Sequence, residues 1–385
     1  MNSHHFTSKL FFLFFLLAIP LLSAQAQIDQ ATELFPAPTG SYTVGTTSRY
    51  FIDEARDEPF TADTTDKREL MVQFWYPAAV EEGTAPAPYM PNSNLVVPEF
   101  NTIFSNLGIE LSLSSDKFAG FQSHTFADAP ISDLQPSYPV LIFSHGWTAT
   151  PVFFSAQLEE MASHGYIVAG INHTYASTMT LFPDGHVVTF SDFFSDAATV
   201  AEIVVEDQIF MVNQLQALNA DDPQSTFTGR LNLEQLGVFG SSLGGAAAAL
   251  ACYQDSRFKA GIDEDGFLSG RVVQEGMDQP FMFMNNQHGT QNEERVYQRL
   301  LRGPAYSLRF DGFEHVNFSD LPLWPDISPL IEASLIGDID GLRSVQLTNA
   351  YVLAFFDKYL KGEDEPLLDG SSAEYPEVTI RSRNT

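Results

Sequence analysis

The chain has 385 residues, of which 44% are hydrophobic and 18% are charged, a globular composition that excludes a mostly disordered chain. Its 49 acidic residues against 19 Lys and Arg give a formal net charge of −30, which argues against nucleic acid as a partner because phosphate contacts need clustered cations. The single cysteine, Cys252, excludes an intramolecular disulfide and a cysteine-based metal cluster.

The first 26 residues have the order of a secretory signal peptide. Lys9 precedes an apolar run over residues 10–22, and Ala24 and Ala26 then follow with the spacing of a cleavage site. The apolar run is too short for a comfortable membrane span. We therefore predict cleavage after Ala26 and a mature protein that is secreted or periplasmic. An uncleaved N-terminal anchor is the alternative.

The rest of the chain is expected to form one α/β domain over residues 70–385, preceded by an extended lead-in over 27–69. The predicted strands lie at 70–76, 140–143, 166–171, 236–239, 259–262, 280–284 and 305–310, and the predicted helices lie at 98–107, 150–165, 196–218, 243–253, 292–301 and 342–360. The apolar stripe over 98–107 is expected to pack on the core, and the alternatives are that it faces a lipid or lines an acyl pocket. Such alternation is typical of a mostly parallel sheet covered by helices on both faces.

A short segment with small residues at fixed positions predicts a nucleophilic serine. Residues 240–244, Gly-Ser-Ser-Leu-Gly, follow the predicted strand 236–239 and precede an Ala-rich helix. This is the context of a nucleophile elbow, a strained and crowded turn that needs small residues on both sides of the serine. We interpret Ser242, at the centre of the motif, as the nucleophile and not as part of a glycine-rich helix start.

A serine hydroxyl needs a general base, and the base needs an orienting acid. In hydrolases with this elbow the acid and then the histidine follow the serine along the chain. Two histidines lie beyond Ser242. His315 follows the last predicted strand and is favoured as the base, and His288, after the preceding strand, is the alternative.

Three carboxylates compete for the role of the acid at the end of the strand that follows the elbow helix: Asp263, Glu264 and Asp265. Alternation along a strand places Asp263 and Asp265 on one side and Glu264 on the other. The position at the strand end favours Asp265, and the other two remain alternatives.

An oxyanion hole takes one backbone N–H from the residue after the nucleophile and another from a loop after an earlier strand. Leu243 follows Ser242, and residues 144–147, Ser-His-Gly-Trp, follow the strand 140–143, so the N–H groups of Leu243 and Trp147 are the predicted donors. His145 is expected to order this loop through hydrogen bonds. The other histidines lack the spacing of a metal motif, so no metal is predicted.

Several segments together resemble the plasma-type platelet-activating-factor acetylhydrolases. They are 138–146 (Tyr-Pro-Val-Leu-Ile-Phe-Ser-His-Gly), 161–169 (Met-Ala-Ser-His-Gly-Tyr-Ile-Val-Ala), 236–245 around the elbow, 255–262 (Asp-Ser-Arg-Phe-Lys-Ala-Gly-Ile) and the His-x-Asn-Phe loop at 315–318. The resemblance covers about 70–360. It implies an α/β-hydrolase fold without cofactor or metal, and hydrolysis of short or oxidised sn-2 acyl groups of phospholipids.

Carried over by position, the resemblance implies Ser242 as nucleophile, Asp265 as acid and His315 as base, with Trp147 and Leu243 at the oxyanion-donor positions. The chain departs from the family pattern beside the nucleophile. The family commonly has His before it and an aromatic residue after it, where this chain has Ser241 and Leu243. The loop that carries the acid is also more charged here. These positions shape the acyl pocket, so the departures affect the substrate assignment and not the triad.

These observations predict a secreted serine ester hydrolase that cleaves short-chain carboxylic esters, including the sn-2 acyl group of phospholipids. The alternatives are a polyester hydrolase like the cutinases, a general lipase or esterase, a serine peptidase, and a non-catalytic lipid-binding protein on the same fold. A dienelactone hydrolase is disfavoured because its nucleophile is a cysteine and Cys252 lies inside the elbow helix. The expected partners are a small ester or phospholipid and, transiently, zwitterionic lipid surfaces. No obligate protein partner is expected.

Overall fold

A ten-stranded sheet organises the chain in the computed structural model, which describes residues 36–194, 196–289, 291–299 and 301–383. The predicted signal peptide lies outside these residues. The strands of this sheet, numbered in chain order together with the small hairpin β6–β7, are β1 (Thr43–Asp57), β2 (Lys67–Ala78), β3 (Thr125–Ala127), β4 (Tyr138–Ser144), β5 (Ile167–Asn172), β8 (Leu231–Ser241), β9 (Ala260–Glu264), β10 (Phe281–Asn285), β11 (Ala305–Phe310) and β12 (Val378–Arg383). The hairpin consists of β6 (Met179–Leu181) and β7 (Val187–Thr189).

The order of the strands across the sheet is β12-β11-β10-β9-β8-β4-β5-β2-β1-β3. The central strands from β11 to β5 are all parallel to one another, whereas β12 and β2 join them antiparallel. Because the carboxyl ends of parallel strands meet at one edge, the loops after β4, β8, β9, β10 and β11 come together there.

Helices cover both faces of the sheet. They are α1 (Ser93–Asn106), α2 (Ser115–Ala119), α3 (Ser155–Ser163), α4 (Ala197–Ala220), α5 (Leu243–Gln254), α6 (Val272–Glu275), α7 (Gln291–Arg299), α8 (Ser328–Glu332) and α9 (Gly341–Phe356), with single helical turns at Pro151–Phe154, His315–Phe318, Leu321–Leu323, Asp357–Lys361 and Pro366–Leu368. One core layer joins α1, α3 and α9 to the sheet, and the other joins α4, α5 and α7. The predicted α/β class, with a mostly parallel sheet between helices, is confirmed.

The side chains of β4 show how the sheet supplies both layers. Leu141 and Phe143 belong to the core on the α3 side, and Val140 and Ile142 belong to the core on the α4 side. All four are fully buried, as expected for a strand that is covered on both faces and therefore has a continuous apolar sequence.

The predicted lead-in is wrong from residue 43 onward. β1 is a long strand that pairs antiparallel with β2, from Thr43 opposite Ala78 to Asp53 opposite Arg68. β1 was not predicted because its sequence is polar and rich in Thr and Asp. Its longest buried stretch lies near Val44, so little of it carries an apolar pattern. The sheet therefore begins well before residue 70, and the predicted boundary at 69/70 lies inside β2.

The apolar stripe on the predicted helix 98–107 packs mainly inward, as expected. Phe100, Ile103 and Phe104 are buried in the core on the α3 side. Leu107 lies just past the end of α1 and is 67% exposed. No helix in the described part of the chain combines the length and the apolarity needed to cross a bilayer.

Candidate active site

Ser242 lies at the sharp turn between β8 and α5, as the sequence predicts. Its φ of 54° and ψ of −112° are strained for a residue with a side chain. A Cβ on Gly240 or Gly244 would approach the carbonyl oxygen of Ser144 to 2.2 or 1.9 Å, so only glycine fits at these two positions. The turn leaves Ser242 half-buried at the carboxyl edge of the sheet.

The structure brings Ser242, His315 and Asp265 into one hydrogen-bonded chain. His315 Nε2 lies 3.0 Å from Ser242 Oγ, and His315 Nδ1 lies 2.6 Å from Asp265 Oδ2. The imidazole side chain is 45% exposed, whereas the Asp265 side chain is only 5% exposed. The His315 imidazole therefore faces the solvent side of the site, while the Asp265 carboxylate is enclosed behind it.

His288, the alternative base, has other contacts. Its Nε2 lies 3.2 Å from the Glu314 carboxylate, and its side chain is exposed. Glu314 also accepts a hydrogen bond from the Gln287 amide at 2.7 Å. The two histidines therefore have different partners. His315 contacts Ser242 and Asp265, whereas His288 contacts Glu314.

The three competing carboxylates also have different partners. Asp263 Oδ1 accepts the Gly266 N–H at 2.8 Å, and it packs so closely that a Cβ on Gly245 would lie 2.0 Å from it. Glu264 points into the core on the other side of β9, where the Gln157 amide donates to it at 2.6 Å. Asp265 leaves the strand with φ 55° and turns its carboxylate to His315.

Asn286 contacts Asp265 and was not predicted from the sequence. Its backbone N–H donates to Asp265 Oδ1 at 2.9 Å, and its side-chain Nδ2 donates to Asp265 Oδ2 at 3.0 Å. The Asn286 Oδ1 accepts the backbone N–H of His288 at 2.8 Å, which fixes the amide so that Nδ2 faces the Asp265 carboxylate. Its place one residue after β10, the strand beside β9, is the only signal the sequence offered.

The loop after β4 passes beside Ser242. A Cβ on Gly146 would lie 3.3 Å from the Ser242 Cβ, so the backbone of this loop runs close to the serine. Within the described part of the chain, the N–H groups of Trp147 and Leu243 donate to no protein acceptor. Thr148, with φ 68°, turns the loop away and donates its N–H to Ala176 at 2.9 Å.

A fully buried polar network lies behind this loop. His145 Nδ1 lies 2.7 Å from the Gly146 carbonyl oxygen, and His145 Nε2 lies 3.2 Å from the His173 backbone nitrogen. Burial, with a further contribution from His173, lowers the pKa of His145 to about 3. The ring is therefore neutral at physiological pH.

Glu264 is the second buried group with a displaced pKa. It is fully buried, and desolvation raises its pKa to about 8, against a smaller opposing effect of the hydrogen bond from Gln157. Among the residues that the structure describes, Glu264 Oε2 and Gln157 Oε1 have no hydrogen-bond partner. A proton on the carboxyl makes Glu264 a donor as well as an acceptor, so the acid and the amide can pair through two hydrogen bonds.

One acidic cluster among the described residues could hold a metal ion by distance alone. The carboxylates of Asp357, Glu363 and Glu365 come within 4.8 Å of one another. Asp357 is already engaged by the Lys361 ammonium at 2.7 Å and by the Tyr166 hydroxyl at 2.7 Å. The cluster shares no residue with the site around Ser242.

Comparison with known proteins identifies the group to which the chain is related. The family model described as "Platelet-activating factor acetylhydrolase, isoform II" matches residues 27–186 and 206–371. A probable 1-alkyl-2-acetylglycerophosphocholine esterase of Arthroderma benhamiae is 26% identical over 382 residues, covering 90% of this chain and 93% of the relative. The platelet-activating factor acetylhydrolase of Canis lupus familiaris is 26% identical, covering 92% of this chain and 86% of the relative.

A solved structure is also similar. The ferulic acid esterase from Streptomyces cinnamoneus superposes with a TM-score of 0.73 at 27% sequence identity, covering 89% of this chain and 98% of that chain. This likeness confirms the predicted α/β-hydrolase fold, and the relatives together make the protein a carboxylic ester hydrolase. The family match spans most of the sequence, including the elbow, the acid loop and His315. The chain therefore belongs to the platelet-activating factor acetylhydrolase family, isoform II.

Proposed function

We propose that the protein is a secreted serine ester hydrolase that removes short acyl groups from carboxylic esters, including the sn-2 acetyl group of phospholipids. The observation that carries the proposal is the chain of two hydrogen bonds from Ser242 Oγ through His315 to Asp265. Hydroxyl, imidazole and carboxylate in this order are the parts that acyl transfer through a serine requires.

In the proposed mechanism Ser242 Oγ attacks the ester carbonyl while His315 Nε2 takes its proton. Asp265 accepts the Nδ1–H bond and stabilises the imidazolium that forms. The N–H groups of Trp147 and Leu243 bind the oxyanion of the tetrahedral intermediate. Collapse of the intermediate breaks the ester C–O bond, and His315 gives its proton to the leaving alcohol. Water, activated by the same imidazole, then hydrolyses the acyl-enzyme and restores Ser242.

Two substrate classes have support from the relatives. The names of the family members favour an acetyl ester of a phospholipid. The ferulic acid esterase supports an aromatic carboxylic ester as the second candidate. The formal charge of −30 disfavours anionic esters in both classes, because a negative surface repels them, and it is compatible with zwitterionic headgroups and zwitterionic lipid surfaces.

The test combines covalent labelling with a substrate panel. A fluorophosphonate should label Ser242, and Ser242→Ala should abolish the labelling and cut ester hydrolysis about a thousandfold or more while the protein stays folded. Ser241→Ala is the matched control, since it changes the neighbouring hydroxyl, and it should retain labelling. Activity that survives in Ser242→Ala would contradict the mechanism.

The substrate panel uses esters from acetyl to palmitoyl, a phosphatidylcholine with a short sn-2 chain, and methyl ferulate. We expect kcat/KM to be highest for acetyl esters and to fall as the acyl chain lengthens. A preference for palmitoyl esters would indicate a long-chain lipase, and a preference for ferulate would select the second candidate.

Secretion has a separate test, because it rests on the sequence of residues 1–26. Expression of the full chain in a host that exports proteins should give a mature protein whose N-terminus is Gln27. An intact N-terminus in the cell extract would overturn both the cleavage site after Ala26 and the proposed secreted or periplasmic location.

A further inference from the structure

A second Ser–His–Asp arrangement lies buried behind the loop that passes the nucleophile. His173 Nε2 lies 3.0 Å from Ser144 Oγ, and His173 Nδ1 lies 2.9 Å from Asp207 Oδ2. The same ring atoms make the same two kinds of contact as in the chain formed by Ser242, His315 and Asp265. All three residues of this second arrangement are fully buried.

Its surroundings make the second arrangement unfit to attack a substrate. Ser144 Oγ already accepts a hydrogen bond from the Gln208 amide at 2.9 Å, and no part of its side chain reaches solvent. Asp207 is held by the Arg68 guanidinium at 2.6 Å. Burial alone would raise the pKa of Asp207, but Arg68 and the hydrogen bond from His173 outweigh it and hold the pKa well below its ordinary value. The group is a fixed anion in the core.

The donor roles in this network follow from a backbone group. The His173 N–H can only donate, so His145 Nε2, 3.2 Å away, is the acceptor. In a neutral ring the proton is then on Nδ1, which donates to the Gly146 carbonyl oxygen at 2.7 Å. Burial keeps His145 in this neutral state by lowering its pKa to about 3.

This hydrogen bond helps to fix the orientation of one peptide unit, together with the Ala149 N–H, which donates to the same Gly146 oxygen at 3.0 Å. The Gly146 carbonyl and the Trp147 N–H belong to the same peptide plane, and among the described residues no peptide bond is cis. In a trans peptide the C=O and N–H point in opposite directions. Because the carbonyl is bonded to the buried imidazole, the Trp147 N–H is turned away from the core, on a loop whose backbone passes beside Ser242.

We propose that His145, held in turn by the Ser144–His173–Asp207 arrangement, positions the Gly146–Trp147 peptide so that the Trp147 N–H serves as an oxyanion donor. The inference rests on the proposed serine mechanism and adds positioning residues that touch neither the substrate nor the reacting atoms. Asp207 fixes the His173 ring and Arg68 fixes Asp207, so the donor is oriented by a chain of buried contacts that begins in β2 and α4.

The test compares two variants of His145. His145→Ala loses the donor to the Gly146 carbonyl, and kcat should fall about a hundredfold, the scale of losing one oxyanion donor, with little change in KM. His145→Asn places an amide N–H near the former Nδ1 and should recover a large part of kcat. His186→Ala, which changes an exposed histidine of the β6–β7 hairpin, is the matched control and should keep kcat.

A thionoester substrate separates positioning of the oxyanion from general damage to the fold. Its sulfur is larger and accepts hydrogen bonds weakly, so the thionoester gains little from an oxyanion donor. His145→Ala should therefore lose much less activity on the thionoester than on the matched ester. Equal losses on both substrates, or no recovery in His145→Asn, would overturn the proposal and make His145 merely structural.

The second pair of variants tests the support behind His145. His173→Gln can keep a polar contact near Ser144, and His173→Asn can keep one near Asp207, so the two separate the two contacts of the ring. Each should lower kcat on the ester more than on the thionoester; unchanged kcat in both would remove His173 and Asp207 from the proposal. The failure of the underlying mechanism has a different signature: Ser242→Ala would remain active on both substrates.

Discussion

Asp265 and Asp263 are two positions apart, but only Asp265 contacts the imidazole of His315. Asp265→Asn should cut kcat by about a thousandfold or more, because the amide no longer stabilises the imidazolium and disturbs the tautomer of His315. Asp263→Asn should cost far less, since its Oδ1 can still accept the Gly266 N–H. Measurement of kcat for both variants, with circular dichroism as the check of folding, decides the assignment. A larger loss in Asp263→Asn would reverse it.

A site residue could be predicted from the sequence where a local motif marks its position. The elbow could be recognised because Gly240 and Gly244 are required by the close approach of the chain around Ser242. Asn286 and His173 could not be recognised, because their roles depend on which strands are neighbours. Asn286 reaches Asp265 only since β10 lies beside β9, a pairing that no local pattern shows.

Glu264 in β9 and Gln157 in α3 form a buried pair, and the contribution of Glu264 to stability depends on pH. Desolvation raises the pKa of Glu264 from 4.5 to about 8. Between these values the folded protein holds a proton that the unfolded chain releases, so the free energy of unfolding falls as the pH rises through this window. Above about pH 8 the folded protein also loses the proton, so Glu264 no longer changes the free energy of unfolding as the pH rises further.

Glu264→Gln should therefore stabilise the protein toward pH 8, by on the order of a few kcal/mol, because the amide is neutral at every pH and can still pair with Gln157. Urea unfolding across the window from pH 4.5 to about 8 measures the effect. Glu81→Gln, at an exposed position, removes one charge without changing a buried contact and serves as the control. Parallel stability curves for Glu264→Gln and the wild type would contradict the prediction.

Among the elements, burial decided what the sequence could predict. The central strands β4 and β5 are buried on both faces, so their apolar runs marked them clearly. β1 has a polar sequence and a register shift between Asp53 and Asp57, and neither a period of two nor an apolar run marked it. The predicted strand at 70–76 was confirmed, and β2 extends beyond it through Pro77, which lies opposite Val44.

At the scale of the whole molecule, the buried network around His145 should make the fold sensitive to acid. Burial lowers the pKa of His145 from 6.5 to about 3, and burial also lowers that of His173. Below pH 6.5 the unfolded chain takes up protons that the folded protein excludes. The free energy of unfolding therefore falls as the pH is lowered, by up to about 1.4 kcal/mol per pH unit for each histidine. Asp207, whose pKa is depressed, adds to the loss at lower pH.

Denaturant unfolding at several pH values below 6.5 measures this slope. In His145→Asn one of the contributing groups is absent, so its free energy of unfolding should fall less steeply between pH 6.5 and about 3, whatever its absolute stability. His186→Ala should keep the slope of the wild type. An unchanged slope in His145→Asn would show that the buried imidazole is not a source of the acid sensitivity.

The order of strands in the sheet has a consequence for folding kinetics. β4 has β5 on one side, its neighbour in the chain, but β8 on the other, after the long stretch that contains the hairpin and α4. Closing such a loop is slow, because its entropy is lost before the pairing is gained. The Ser242 turn needs β8 docked beside β4, since Gly240 and Gly244 pack against the Ser144 carbonyl. During refolding, helical signal should therefore return before esterase activity does.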